Sequence, residues 1–237
     1  MNLAKIFDFI RVRVIGPIVF WPLRCLALCW GALMGAVPYS SRRRYINNER
    51  RQKAKMIARV AKAYGIDTFV ETGTHLGDTT NDLRDAFSSL VTIEIDPALH
   101  SQAKKRFASQ PQIKCILGDS GIELAKIAAA LDEATLFWLD GHYSGDGTGG
   151  EGSAAPLRAE LDAVSMSPRQ DHVIVIDDIS DFVVQLGQES LSSVLAKLET
   201  MNPNFRFYFD FDMLFVVPGE REHRDFWRNI AMATYVR

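Results

Sequence analysis

The sequence has little cysteine and no excess of basic charge, and both absences restrict its function. Its three cysteines, Cys25, Cys29 and Cys115, are odd in number and lack metal-ligand spacing, so neither a disulfide framework nor a zinc site is indicated. This composition fits a reducing cytoplasm. The 237 residues contain 27 Lys and Arg against 29 Asp and Glu, which gives no overall basic character, and we expect no nucleic-acid partner.

The first part of the chain differs in composition from the rest. Residues 14–37 are apolar apart from Arg24, and they approach the ~20 residues needed to cross a bilayer. Pro17, Pro22 and the charge of Arg24 weaken a spanning helix. The alternatives are a cleaved signal peptide, whose apolar core is usually shorter and free of arginine, and a hydrophobic helix or hairpin lying in the interface. We predict that residues 1–46 associate with a membrane and contact lipid through residues 14–37.

Basic residues flank this apolar segment unequally. Three precede it, and seven follow it between Arg42 and Lys55, with Lys53 among them. By the positive-inside rule, the side richer in Lys and Arg faces the cytoplasm. The sequence therefore predicts that residues 47–237 form a domain at the cytoplasmic face of a membrane, with lipid head groups as the counter-charge of the basic run.

From Asn47 onward the pattern alternates between helix and strand. The first helix is expected to end at Gly65. Five short apolar segments, rich in β-branched residues, then occur at 67–70, 90–93, 114–117, 136–139 and 173–176. Amphipathic helices separate them, one of which is capped by Asp96. Such alternation is typical of an α/β fold with a doubly wound parallel sheet.

The end of the chain has a different pattern. Residues 205–211 alternate phenylalanine with polar residues, and a second apolar run from Met213 to Val217 follows too closely for a helical crossover. We expect these two strands to form an antiparallel hairpin that completes a sheet of seven strands. The hairpin phenylalanines and Trp138 are predicted to lie in the core.

The segment ETGTHLG, residues 71–77, begins like a dinucleotide-binding fingerprint and then departs from it. A dinucleotide site needs a second glycine where the backbone approaches the pyrophosphate, and this chain has His75 there. Glu71 at the strand end repels phosphate but can accept from an ammonium group. A ligand with an amino group and a ribose but no phosphate fits both features, and S-adenosylmethionine is such a ligand. Glu71, Gly73 and Gly77 are therefore predicted to bind it.

Two further acids end the next two strands. Glu94 lies about twenty residues after Gly73, where an acid can accept from both ribose hydroxyls. Asp119 ends the third strand and is placed to accept from an adenine amino group. Either acid could instead be a helix cap. Three acids at three successive strand ends favour the cofactor interpretation, because open α/β sheets bind their ligands at those ends.

A second group of acids, Asp140, Asp177 and Asp178, follows the fourth and fifth strands. Neighbouring strands lie ~4.8 Å apart, so the three carboxylates converge if these two strands pair. Either some of them stay protonated or a cation lies among them, and oxygen ligands select Mg²⁺, Mn²⁺ or Ca²⁺. His142 is the candidate general base, since imidazole titrates near neutrality. A purely structural role in the loop is the alternative for His142.

The segments ETG…G, IEID, LGDS, LDGHY and VIDD, in this order, resemble class I S-adenosylmethionine-dependent methyltransferases. The resemblance covers residues 50–218 and implies a Rossmann-like sheet with strand order 3-2-1-4-5-7-6 and an antiparallel last strand. Within the class, the first motif and the acids are similar to the macrocin O-methyltransferase group of metal-dependent sugar methylases. That similarity implies Mg²⁺ bound by Asp140, Asp177 and Asp178. In that group the residue two positions after the first metal-binding aspartate is usually acidic, whereas here it is His142.

These features favour a cation-dependent O-methyltransferase acting on a small hydroxylated acceptor, such as a sugar or a glycolipid head group. Two alternatives from other classes stay open. One is a module that binds the cofactor without turnover, which His142 in place of an acid leaves open. The other is an NAD-dependent oxidoreductase, and His75 in the fingerprint counts against it.

Overall fold

The computed structural model describes residues 39–140, 156–179, 190–221 and 223–235. Contacts divide the chain into two compact units, Met1–Arg50 and Arg51–Arg237, and the second unit holds the sheet. The apolar residues 14–37 and His142 lie outside the described residues, and the division of the chain after residue 46 stays a prediction. Among the helices that are described, none combines the length and the apolarity needed to cross a bilayer.

Helices and strands alternate along most of the second unit. The strands are β1 (Thr68–Thr72), β2 (Ser89–Glu94), β3 (Ile113–Leu117), β4 (Thr135–Leu139), β5 (Val173–Ile176), β6 (Phe205–Asp210) and β7 (Met213–Pro218). The helices are α1 (Tyr39–Tyr64), α2 (Asp78–Leu83), α3 (Pro97–Arg106), α4 (Ser120–Ala129), α5 (Pro156–Val164), α6 (Leu191–Met201) and α7 (Arg224–Tyr235), and a 3₁₀ turn covers Gly219–Arg221.

The strands form one sheet in the order β3-β2-β1-β4-β5-β7-β6. The pairs among β1 to β5 are parallel, and β7 is antiparallel to both β5 and β6. Parallel neighbours need long crossovers, which the helices supply, whereas β6 and β7 are joined by the two residues Phe211 and Asp212. Both have positive φ, 50° and 61°, as a type I′ hairpin turn requires. The predicted strand order and the antiparallel last strand are confirmed.

Local sequence signals fix the ends of several helices. The helix α1 ends before Gly65, whose φ of 60° lies in the left-handed region that glycine adopts without strain. At the start of α3, the Asp96 carboxylate accepts from the backbone N–H groups of Ala98 and Leu99, at 2.7 and 2.9 Å. Pro97 occupies the first turn, where its missing N–H is no loss. Both signals were predicted from the sequence.

Helices cover both faces of the sheet and form two hydrophobic clusters. One cluster joins α1 side chains to Phe69 of β1 and Trp138 of β4, and we call this side the α1 face. The other joins Val70 and Phe137 to side chains of α4, α5 and α6, and we call it the opposite face. Because consecutive side chains along a strand point to opposite sides, the parity of a residue within its strand decides which face it joins.

The predicted core is correct except at the tip of the last hairpin. Trp138 is 2% exposed and Phe205 is 7% exposed, as expected for core residues. Phe209 and Phe211 are 54% and 48% exposed, so the prediction that all the hairpin phenylalanines are buried was wrong. Phe209 lies near the end of an edge strand, and Phe211 lies in the turn itself, so neither has a covering layer on both sides.

Candidate functional site

Four of the predicted site acids lie at the carboxyl ends of adjacent strands. The strands β2, β1, β4 and β5 are neighbours in the sheet. Glu71 lies in β1 and Glu94 ends β2, while Asp140 and Asp177 directly follow β4 and β5. The N–H of Asp177 still bonds to the carbonyl of Leu139, at 3.2 Å, so strand pairing continues to that point. Alternation places all four acids on the α1 face.

Glu71 is a buried carboxyl group held by hydroxyl donors. It is 1% exposed, and its Oε2 accepts from the hydroxyls of Thr80 and of Thr92, the latter at 2.7 Å. Burial raises the pKa of Glu71 to about 7; the two hydroxyl donors act to lower it, and the charge of Glu94 adds to the increase. Glu71 therefore changes charge near neutrality, at the strand end where the first motif begins.

The loop after β1 has three residues in left-handed backbone conformations. Gly73, His75 and Gly77 have φ of 79°, 47° and 74°. A Cβ on Gly77 would lie 2.8 Å from the ring of Phe107, so this position has no room for a side chain. His75 is exposed, and its backbone N–H donates to Oε2 of Glu94 at 2.7 Å. The loop is thereby fixed against the acid that ends β2.

Glu94 is 6% exposed and is oriented by the backbone around it. Its second oxygen, Oε1, accepts from the N–H of Asp96 at 2.9 Å. Each carboxylate oxygen has two acceptor positions, so Glu94 keeps capacity for hydroxyl donors from a ligand. Its position and orientation suit the predicted contact with ribose hydroxyls.

Exposed apolar side chains occur at or soon after the carboxyl ends of β1, β2 and β3. They are Leu76 (48% exposed), Ile95 (42%), Leu117 (46%) and Ile122 (59%). Ile95 directly follows Glu94, and Leu117 is the register partner of Glu94 in the β2–β3 pair. A group of apolar side chains beside a few oriented polar groups is typical of a ligand site. Sequence reasoning missed these residues because the pattern does not distinguish exposed apolar side chains from buried ones.

Asp119 lies among these apolar residues and caps α4. Its Oδ1 accepts from the N–H of Ile122 at 3.2 Å, and the residue is exposed. Asp119 is therefore a helix cap, which was the alternative role considered for it in the sequence. This role is compatible with the predicted contact to an adenine amino group, since a carboxylate can accept several hydrogen bonds.

Asp140, Asp177 and Asp178 form a compact acidic cluster. One carboxylate oxygen of each lies within 4.8 Å of those of the other two. Burial raises the pKa of Asp140 well above its ordinary value, and the charges of Asp177 and Asp178 raise it further. Burial also raises the pKa of Asp177 to about 7, and the charge of Asp178 adds to this. Three negative charges at this spacing need a positive partner or a proton.

Lys53 supplies a positive charge that the sequence analysis placed elsewhere. Its Nζ lies 2.6 Å from Oδ1 of Asp177 and 3.3 Å from Oδ1 of Asp178. Burial opposes the charge of the ammonium, but attraction to Asp177 and then to Asp178 outweighs burial and raises the pKa of Lys53 above its ordinary value. The sequence assigned Lys53 to a basic run facing lipid head groups. That assignment was wrong for Lys53, because α1 turns this side chain into the protein.

A further buried acid, Glu160 of α5, lies on the opposite face. Its Oε1 accepts from the Ser120 hydroxyl at 2.6 Å, and the carboxyl also accepts from the Thr72 hydroxyl. Burial raises the pKa of Glu160 to about 7, against the effect of these two hydroxyls. The Thr72 oxygen in turn accepts from the N–H of Asp140 at 3.2 Å. Glu160 thus links the start of α4 to β1 and, through Thr72, to the acidic cluster, and no sequence motif indicated it.

The predicted general base is the one predicted site residue outside the described part of the chain. His142 lies two positions beyond Asp140, outside the described residues. The other predicted site residues fall into two groups. The cofactor group is Glu71, Gly73, Gly77, Glu94 and Asp119, and the acidic cluster is Asp140, Asp177 and Asp178. Their roles in binding stay predictions, while the proximity of the acids in the cluster is a finding.

Sequence comparison finds no matching family model and no matching curated protein. Solved structures do show a similar fold. The O-methyltransferase TomG from Streptomyces achromogenes, involved in tomaymycin synthesis and solved with SAM (S-adenosylmethionine), is 15% identical, with a TM-score of 0.51 over 71% of this chain and 80% of that one. A proposed caffeoyl-CoA O-methyltransferase from Staphylococcus aureus is 13% identical, with a TM-score of 0.52 over 92% of this chain and 100% of that one.

An O-methyltransferase from Bacillus cereus in complex with SAH is also similar. It is 16% identical, with a TM-score of 0.50 over 70% of this chain and 80% of that one. These likenesses do not test the similarity to the macrocin group, which stays a prediction. At such low identity they establish the architecture, and together with the strand order they show that this chain has the Rossmann-like fold of class I S-adenosylmethionine-dependent methyltransferases.

Proposed function

We propose that the chain is an S-adenosylmethionine-dependent O-methyltransferase. The observation that carries this proposal is the arrangement of Glu71 and Glu94. Both are buried, on the same face, at the ends of adjacent strands and beside the loop from Gly73 to Gly77. Ligands of open α/β sheets bind at these ends. The fold shared with methyltransferases solved with SAM or SAH supports the same conclusion.

Each cofactor group has a residue of suitable chemistry. Glu71 can accept from the ammonium of the methionine part, and Glu94 from the ribose hydroxyls. Asp119 can accept from the adenine amino group, and the neighbouring Ile95 and Ile122 present apolar surface to its ring. When bound, the cofactor supplies a methyl group on a positively charged sulfur. Transfer of that methyl group requires the acceptor oxygen to lie in line with the leaving sulfur.

A divalent cation fits the acidic cluster, and we propose Mg²⁺ held by Asp140, Asp177 and Asp178. Three ionised carboxylates within a few ångströms carry more negative charge than the single Lys53 ammonium can compensate, so the cluster can hold a divalent ion. The ligand set is oxygen alone, as Mg²⁺ prefers. A bound cation lowers the pKa of the acceptor hydroxyl and fixes its position. The acceptor is proposed to be a small hydroxylated molecule, sugar-like or glycolipid-like, with His142 as the base that takes its proton.

One structural observation favours the alternative of a cofactor-binding module without turnover. Lys53 already compensates two of the three cluster acids, so the cluster has a stable arrangement that needs no cation.

The membrane proposal is separate: residues 14–37 are proposed to hold the catalytic domain at the cytoplasmic face through their apolar side chains and the basic residues after them.

Calorimetry with S-adenosylmethionine and with NAD tests the leading proposal. We expect the sulfonium nucleoside and its demethylated product to bind, and we expect no heat from NAD, since His75 takes the position that a pyrophosphate-binding glycine would occupy. Replacing Glu94 by Gln should weaken cofactor binding about 10-fold or more through lost charge-assisted hydrogen bonds. Glu199→Gln, an exposed acid on α6, is the matched control. Binding of NAD in place of the nucleoside would reject the proposal.

Cofactor affinity should increase as pH rises through about 7, the pKa to which burial raises Glu71. A cationic ligand favours the ionised carboxylate, which prevails only above that pKa, and each unit by which the ligand lowers the pKa is worth about tenfold in affinity. Titrations between pH 6 and 8 measure this slope. Glu71→Gln should bind more weakly and lose the slope. A wild-type affinity that does not change with pH over this range would contradict the role given to Glu71.

Transfer of a labelled methyl group to a panel of hydroxylated acceptors tests the chemistry of the second cluster. Asp140→Ala and His142→Ala should each lower the rate, by about 100-fold or more for loss of an acid–base or cation-holding group. Removal of divalent ions with a chelator should have the same effect as Asp140→Ala. Full activity of Asp140→Ala or of the chelated wild type would remove the cation from the mechanism, and full activity of His142→Ala would remove His142 as the base.

Deletion of residues 1–38, which leaves α1 whole, should move the protein from lipid vesicles to the supernatant in a sedimentation assay. The physical reason is loss of the apolar surface of residues 14–37. A full-length variant with Arg42, Arg43 and Arg44 changed to Gln is the control for charge, and it should still sediment with lipid. Sedimentation of the deletion variant to the same extent as the full chain would refute membrane attachment by this segment.

A further inference from the structure

Lys53 is the basic residue that α1 directs into the acidic cluster. The side chain of Lys53 is 11% exposed and that of Asp177 is 8% exposed, so this ion pair is largely removed from water. Asp178, at 44% exposed, lies on the solvent side of the pair. Lys55, two residues along the same helix, is exposed. The burial of Lys53 is therefore specific to its position on the helix.

The ammonium group occupies oxygen atoms that a divalent cation would also use. It lies 2.6 Å from Oδ1 of Asp177, and the cluster oxygens lie within 4.8 Å of one another. A divalent cation binds carboxylate oxygen at about 2.0–2.6 Å, so on the same Asp177 oxygen it would lie no more than about 5 Å from the ammonium. Two positive charges at that distance repel strongly in a poorly solvated site.

We propose that Lys53 is a tethered counter-cation that competes with the divalent ion for Asp177 and Asp178. Binding of the ion then requires the ammonium to leave Oδ1 of Asp177. The four-carbon side chain of lysine is flexible enough to move its charge toward solvent while the backbone of α1 stays in place. The inference rests on the proposed cation site, and it assigns to Lys53 control over how tightly that site binds its ion.

The properties of the two cations indicate how Lys53 should affect the binding of the divalent ion. Lysine offers one charge and three hydrogen-bond donors, and it is always present because the helix carries it. A divalent ion offers two charges but must be recruited from solution. Lys53 therefore stabilises the acids when no ion is bound and weakens the binding of the ion. Without Lys53, the carboxylates would be uncompensated and would bind a divalent ion more tightly.

The test is Mn²⁺ binding to full-length protein stripped of divalent ions, followed by the electron paramagnetic resonance signal of free Mn²⁺. Lys53→Met should bind Mn²⁺ more tightly than the wild type, by about tenfold or more, because one like charge has been removed from the site. Lys53→Arg, which keeps the charge, should stay near the wild-type affinity. Lys55→Met is the matched control on the same helix and should not change Mn²⁺ affinity.

An unchanged or weaker Mn²⁺ affinity in Lys53→Met would overturn the inference, since Lys53 would then be neutral to the ion or would help to order its ligands. Calorimetry with S-adenosylmethionine on the same preparations separates this result from failure of the proposed function. If the nucleoside binds but no variant binds Mn²⁺, the Lys53 inference is wrong and the transferase proposal stands. If the wild type does not bind the nucleoside, the transferase proposal fails.

A measurement on the wild type covers the case in which Lys53→Met does not fold. In protein labelled with ¹⁵N at the lysine side chains, the Lys53 ammonium should give a signal protected from exchange by burial and its two carboxylate partners. Addition of Mg²⁺ should shift this signal or abolish its protection. Binding of Mg²⁺ that leaves the Lys53 signal unchanged would contradict displacement.

Discussion

Four carboxyl groups along one edge of a sheet, three of them buried and Asp140 half-buried, are the constraint on which the rest of the site depends. A buried charge without a partner costs several kcal/mol, so each acid needs its own compensation. Hydroxyl groups of neighbouring threonines hold Glu71, and backbone N–H groups hold Glu94. Lys53 contacts Asp177, while burial and the charges of Asp177, Asp178 and Glu71 disfavour the charge of Asp140. The proposed cofactor and cation sites both rest on this arrangement.

Strand geometry explains why these acids meet. Parallel strands present their carboxyl ends at one edge of the sheet, and alternation sends every second side chain to the same face. The core on the α1 face occupies the first part of each strand, and the acids continue that face beyond it. The opposite face also has one buried acid, Glu160, whose carboxyl group accepts hydrogen bonds from the hydroxyls of Thr72 and Ser120.

The strands and the acids at their ends could be predicted because the signals are local: short apolar runs, caps and acids at fixed distances after them. The strand order was predicted only through the resemblance to class I methyltransferases. The end of β1 was predicted too early, at residue 70, because Glu71 and Thr72 are polar yet buried, and a hydrophobic pattern stops at polar residues. Lys53 and Glu160 could not be found this way, since their partners are distant in sequence. Exposure at Phe209 depends on its place at the sheet edge, which its alternation with polar residues does not reveal.

The contact between Lys53 and Asp177 joins residues that are 124 positions apart. On the ribosome, where ~5–20 residues are added each second, the helix that carries Lys53 is made several seconds before β5. If α1 packed in its final position before β5 was synthesised, the Lys53 ammonium would be buried without a counter-ion, which is unfavourable. The final position of α1 therefore gains its counter-ion only after β5 has been synthesised, while β6 and β7 are still to follow.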